Sequence, residues 1–213
     1  MITSIESFLS RLRARIAWEL LPSRFFVLSL LPKKSVCAEV GTYKGEFATS
    51  IVQATKPRKL HLIDPWKYEA EPLYQKAWYG GTAGGQGQMD ELYRSVQKRF
   101  RNDIAAGRVV LHRKSSGVAY ADFPDAYFDW IYIDGNHLYD FVAKDLRLFF
   151  PKVKPGGFIC GDDYGVGGWW ENGVQRAVDE FVQQGFCDMI VAKESQFVLK
   201  KPLKSSALLP AST

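Results

Sequence analysis

Cysteine is scarce in this chain of 213 residues, and the three present, Cys37, Cys160 and Cys187, show no CxxC or histidine-linked spacing. An odd number without such spacing excludes a disulfide framework and a structural zinc site as organising devices. Long apolar runs are missing too. The N-terminal apolar positions are broken by Arg11, Arg13, Arg15, Glu19 and Arg24, so none reaches the roughly 18 residues that a membrane span needs. The same start lacks the uninterrupted apolar stretch and small-residue cleavage site of a signal peptide, and the expected location is cytoplasmic. No internal repeat or low-complexity tract occurs. With 46% apolar and 24% charged residues, the composition is that of a globular protein, not of a disordered, collagenous or coiled-coil chain.

Charge is not concentrated either. Lys and Arg number 28 against 23 Asp and Glu, a formal charge of +5. Only the first helix and the tail (Lys193, Lys200, Lys201, Lys204) are enriched in basic residues. No zinc-finger, helix-turn-helix or RNA-recognition pattern accompanies them, which argues against a nucleic-acid partner.

What is present is rhythm. Residues 4–21 place Ile5, Phe8, Leu9, Leu12, Ile16 and Leu20 at three- and four-residue spacings, the period of an amphipathic helix, and Pro22 helps to end it. We read 1–34 as an N-terminal helical appendage, whose apolar face makes a homodimer an expectation. From Ser35, strand-like runs alternate with helical ones: SVCAEVG, GEFATSIVQAT, KLHLIDP, RVVLHR, FDWIYIDG, 138–150, GGFICGDD and 172–184. That alternation predicts an α/β, Rossmann-like, doubly wound and mostly parallel sheet of seven strands. The closing runs CDMIVAKES and QFVLKK predict an antiparallel C-terminal hairpin. The domain is expected over 35–202, followed by a tail at 203–213.

Two segments break the rhythm. Tyr68 to Gln88 carries Trp78, Tyr79 and Gly80, Gly81, Gly84, Gly85 and Gly87, and Gly165 to Gly173 carries Trp169 and Trp170. Long glycine-rich loops with exposed aromatics suit lids over a ligand. Tyr79, Tyr164, Trp169 and Trp170 are the candidates for an acceptor wall.

The chemistry should lie where each strand ends, because doubly wound sheets bind ligands at the carboxyl ends of their strands. The first strand ends in Glu39-Val40-Gly41-Thr42-Tyr43-Lys44-Gly45. Its glycines permit close backbone approach, but the dinucleotide pattern GxGxxG is absent. Glu39 would repel a pyrophosphate and favour an ammonium or sulfonium group. Asp64, at the end of the second strand, suits the two hydroxyls of a ribose. Ser115 and Ser116 follow the third strand, where they would either border an adenine or cap a helix. The fourth strand delivers Asp134, with His137 beyond it, and the fifth delivers Asp162 and Asp163. Carboxylates gathered so closely need a shared proton or a cation, and a divalent metal is the natural resident.

The segments AEVGTYKGEFA, LHLIDPW, FDWIYIDGNHLYDFVAKDLRLFFPKVKPGG and FICGDDY together resemble a class I S-adenosylmethionine-dependent methyltransferase. They are most similar to the small bacterial families related to catechol, caffeoyl-CoA and macrolide-sugar O-methyltransferases, and the resemblance covers about residues 35–200. It implies S-adenosyl-L-methionine as cofactor, with Glu39, Gly41, Thr42 and Gly45 at its amino-acid end and Asp64 at its ribose. Trp66, Ser115, Ser116 and Asp134 complete the implied cofactor set. In metal-dependent relatives the implied magnesium ligands map onto Asp134, Asp162 and Asp163. The catalytic pair would be Asp134 and His137, the imidazole accepting a proton from an acceptor hydroxyl. Two departures stand out: equally similar relatives carry His-Asp at the acidic pair, and Asn136 stands where an acidic residue is common. The expected activity is metal-assisted O-methylation of a small hydroxylated acceptor, a sugar or natural-product intermediate. The alternatives are a metal-independent N-methyltransferase and a non-catalytic cofactor-binding protein. A nicotinamide-dependent reductase is disfavoured by Glu39 and by the missing glycine pattern.

Overall fold

The computed structural model describes residues 23–203; the helix expected at 4–21 and the tail residues 204–213 lie outside the described residues. In chain order the elements are α1 (Ser23–Leu30), β1 (Val36–Val40), α2 (Glu46–Thr55), β2 (Lys59–Ile63), α3 (Gln86–Arg99), α4 (Arg101–Ala105) and β3 (Val109–His112). There follow α5 (Ser116–Ala119), β4 (Phe128–Ile133), α6 (Tyr139–Phe149), β5 (Val153–Gly161), α7 (Gly173–Gln183), β6 (Asp188–Lys193) and β7 (Gln196–Lys200). Helix α3 takes in the last three residues of the first expected loop.

One seven-stranded sheet runs β3-β2-β1-β4-β5-β7-β6. Pairings among β1 to β5 are parallel, and β7 pairs antiparallel with both β5 and β6. The expected fold is therefore the observed one, hairpin included. The central strands β1 and β4 read as near-continuous apolar runs because both faces are covered. On one face Ile131, Ile133, Leu146, Phe149, Val178 and Phe181 form a core with α6 and α7. On the other, Cys37, Leu60, Trp130 and Tyr132 pack beneath α1, α2 and α3. Helix α1, assigned from sequence to the appendage, buries Phe26, Val27 and Leu28 in this second core.

The order of strands reverses between β1 and β4, since the chain winds outward from β1 to β3 and then crosses back to β4. In sheets of this kind the ligand crevice lies at the carboxyl ends of the two strands that flank such a reversal. The three cysteines are buried and free.

Candidate active site

Backbone hydrogen bonds tie the strand ends together at this switch point. The Gly41 N–H donates to the Ile63 carbonyl at 2.8 Å, and the Asp134 N–H donates to the Val40 carbonyl at 2.7 Å. Gly41 has φ +93°, and a Cβ there would collide with the Asp134 carbonyl. Glycine is therefore required both by its dihedral and by the approach of β4.

Just below, Glu39 is 2% exposed. Burial pushes its pKa well above the carboxylate range, and Asp134 pushes it further in the same direction. The Thr42 hydroxyl and Arg24 favour the ionised form, yet Glu39 Oε2 and Thr42 Oγ1 reach no hydrogen-bond partner. A buried carboxylate oxygen without a donor is costly, and a cationic ligand end placed here would satisfy it. The Tyr79 hydroxyl, from the first irregular loop, is the third such unpartnered buried side-chain atom among the described residues.

Asp64 sits across the turn. Its Oδ2 accepts the Tyr43 N–H at 2.8 Å and its Oδ1 accepts the Trp66 N–H at 2.6 Å. Burial raises its pKa, and these amides oppose the rise. Each carboxylate oxygen retains a lone pair for a further donor. Trp66, which follows the Asp64 turn, is 1% exposed and packs on Tyr93. Its indole N–H donates to the Tyr43 carbonyl at 2.8 Å, so it braces the glycine turn from behind. Ser115 is exposed at the start of α5 and makes no side-chain cap. Ser116 favours the ionised form of Asp145, a buried carboxyl of α6.

The acidic residues converge, but not as three free carboxylates. Asp134, His137 and Asp163 bring one ligand-type atom each to within 4.8 Å of one another. His137 Nε2 lies 3.4 Å from Asp134 Oδ1 and 3.2 Å from Asp163 Oδ2. Burial disfavours its charged form, but the hydrogen bond to Asp134 and the charges of Asp163, Asp134 and Asp162 outweigh this and raise its pKa. Asp163 has φ +59°, a left-handed conformation rare for a residue with a Cβ.

Asp162 is spent elsewhere. Its Oδ1 accepts from the Ser195 hydroxyl at 2.7 Å, from the Asp163 N–H at 2.8 Å and from the Gln196 amide, while its Oδ2 accepts from Arg24. Arg24 also reaches Asp134 Oδ2 at 2.9 Å. The site as built thus contains Arg24, which sequence reasoning missed. A contact 110 and 138 residues away along the chain leaves no local pattern to detect.

Residues 38–164 match a protein-family model described as a methyltransferase domain. The chain belongs to the methyltransferase-domain family. The family is the one that the strand-end motifs resemble. The methyltransferase is similar to an uncharacterised protein of Acanthamoeba polyphaga mimivirus, 29% identical over 149 residues, and spans 58% of that protein's length with 68% of its own. Its fold is shared with a cofactor-bound protein from MTB, at a TM-score of 0.59 and 13% identity, covering 94% of this chain and 97% of that one. An S-adenosylmethionine-dependent O-methyltransferase from Thermotoga maritima shares it too, at 0.55 and 10%, covering 86% and 66%.

Both irregular loops of the methyltransferase meet beside the residues that follow β4. Tyr74, in a short 3-10 turn of the first loop, packs edge-on against Trp169 of the second, with ring centroids 5.8 Å apart. Trp169 touches Trp170, and Trp170 touches the His137 ring at 5.0 Å. Asn136 donates to the Tyr74 hydroxyl at 3.2 Å, which ties the first loop to the residue after β4. Trp78, 69% exposed, stacks on Tyr43 of the glycine turn. Tyr164 turns away from the aromatic chain and donates to Asp179 at 2.7 Å.

Proposed function

We propose that this methyltransferase transfers a methyl group to a hydroxyl of a small acceptor, a sugar or natural-product intermediate. In this reading the Asp134, His137 and Asp163 cluster takes the proton. The observation that carries it is the convergence of these three side chains at the ends of β4 and β5, beside the unpartnered Glu39 carboxylate. S-adenosylmethionine, when bound, supplies a methyl group already activated on a sulfonium. Glu39 and Thr42 fit its ammonium end, because their unpartnered oxygens need a donor. Asp64 fits its ribose hydroxyls, and the exposed Ser115 fits the border of its adenine.

The protein's task is then to place the acceptor oxygen in line and to receive its proton. His137 is held between the carboxylates of Asp134 and Asp163, and the cluster as a whole is the proton acceptor of this reading. The aromatic chain from Tyr74 through Trp169 to Trp170 walls the acceptor and excludes water.

The magnesium site implied by resemblance, Asp134 with Asp162 and Asp163, does not fit the arrangement found. Asp162 has all its donors within the protein, and a nitrogen ligand, His137, stands where an oxygen-preferring ion would want a carboxylate. No step of this reading passes through a metal.

Initial rates with S-adenosylmethionine and a panel of hydroxylated and amine acceptors test the proposal. Methylation of hydroxyl compounds is expected, with His137→Gln lowering kcat by about 10²- to 10⁴-fold while affinity for S-adenosylhomocysteine stays within error. Turnover confined to amines, or undiminished in both His137→Gln and Asp134→Asn, would refute it.

A further inference from the structure

The acidic residues at the ends of β4 and β5 have a cation of their own. Arg24 comes from α1, a helix outside the strand-end motifs, and its guanidinium bridges Asp134 and Asp162. Its position is built from below. The guanidinium carbon lies 5.0 Å over the Phe47 ring and 6.0 Å from the Tyr132 ring, a cation–π platform within the second core. Tyr132 is fully buried and donates from its hydroxyl to Gln196 Oε1 at 2.5 Å. That bond orients the Gln196 amide so that its nitrogen faces Asp162. Helix α1 in turn is anchored by Phe26, Val27 and Leu28, each at most 3% exposed.

A guanidinium cannot lose its proton in a protein, so the charge is permanent. Both carboxylates are met by the same terminal nitrogen, Nη2, whose two N–H groups can serve one carboxylate each. A divalent ion ligated by Asp134 and Asp162 would have to displace it and strip Asp162 of a donor.

We infer that Arg24 is the resident counter-ion of the Asp134–Asp162 pair, held by α1 in the place that a divalent cation shared by those two carboxylates would need, and that with His137 on the other Asp134 oxygen it leaves this methyl-transfer centre to work without divalent metal. The inference rests on reading this crevice as the methyl-transfer centre. Arg24 acts as a positioning residue: it fixes the Asp134 carboxylate from one side while His137 meets it from the other.

Electron paramagnetic resonance of the full chain titrated with Mn²⁺, in the presence of S-adenosylhomocysteine, tests this. The wild type is expected to show no stoichiometric site at micromolar Mn²⁺. Arg24→Gln is expected to gain one, with affinity raised by at least about tenfold once the like charge is gone. Arg24→Lys should resemble the wild type, and adding Asp162→Asn to Arg24→Gln should abolish the gained site. A stoichiometric Mn²⁺ site in the wild type overturns the inference. So does the absence of any gain in an Arg24→Gln protein that still binds S-adenosylhomocysteine, a control that shows the fold and crevice to be intact. Calorimetry with S-adenosylhomocysteine alone separates the two levels, because its failure in the wild type strikes the methyltransferase reading and leaves the Mn²⁺ comparison to be read by itself.

Discussion

At the scale of single residues, the site depends on groups whose isolation would be unfavourable. Glu39 is a buried carboxylate with an orphaned oxygen, and Gly41 is the residue that lets β4 close over it. Gly41→Ala is expected to destabilise the fold by about 2–4 kcal/mol, from its φ of +93° and the collision with the Asp134 carbonyl. Urea denaturation checks this, and a change below about 0.5 kcal/mol would show that the turn relaxes. Most of these residues were legible in the sequence. Glu39, Asp64, Asp134, His137 and Asp163 end strands, and a strand end in an alternating pattern can be located from periodicity. Arg24, Asp145 and Gln196 were not, because their roles come from contacts made across the sheet, which no spacing encodes. The direction in which Trp66 faces is illegible for a related reason. Its position after Asp64 marks it as near the ligand, but only the packing on Tyr93 shows which way it faces.

Among the elements, the βα units declare themselves through a switch of period from two to 3.6, and α6 and α7 lie within one residue of the expected stretches. The C-terminal hairpin was legible from two β-prone runs joined by a polar turn, here Glu194 and Ser195 at positive φ. Its consequence was not: inserting β7 between β5 and β6 carries Ser195 and Gln196 to Asp162. Helix α3 was missed because its sequence QGQMDELYRSVQKR is polar and begins inside a glycine-rich tract, burying only Met89 and Val96. The two irregular loops are legible as departures from rhythm. Their meeting through Tyr74 and Trp169 depends on tertiary geometry, as does the tether from Asn136 to Tyr74.

Across the whole molecule, stability should depend on pH through a group outside the acidic cluster. His61 is buried between His112 and Tyr127, at 2.9 and 3.2 Å. Burial, then the charges of His112 and Lys59, lower its pKa to about 3 from 6.5. The unfolded chain therefore binds the proton first as pH falls. Stability is fully present above the unfolded pKa and is lost as pH drops from about 6.5 toward 3, by up to roughly 5 kcal/mol. Asp145 opposes this over part of the range: burial raises its pKa to about 6, so its cost is relieved on acidification. Urea denaturation from pH 7 to 4.5 should show the wild type losing stability faster than His61→Gln. Parallel curves would place the acid sensitivity elsewhere.

The central claim is that the crevice between β1 and β4 binds the homocysteine nucleoside by its acidic end. Calorimetric titration with S-adenosylhomocysteine, of the wild type and of Glu39→Gln, with NAD as control, tests it most directly. The account predicts one site per chain for S-adenosylhomocysteine, none for NAD, and an affinity at least about tenfold weaker in Glu39→Gln, in line with the loss of a charge-assisted hydrogen bond. Binding of NAD in preference, or equal affinity in the two proteins, would contradict it.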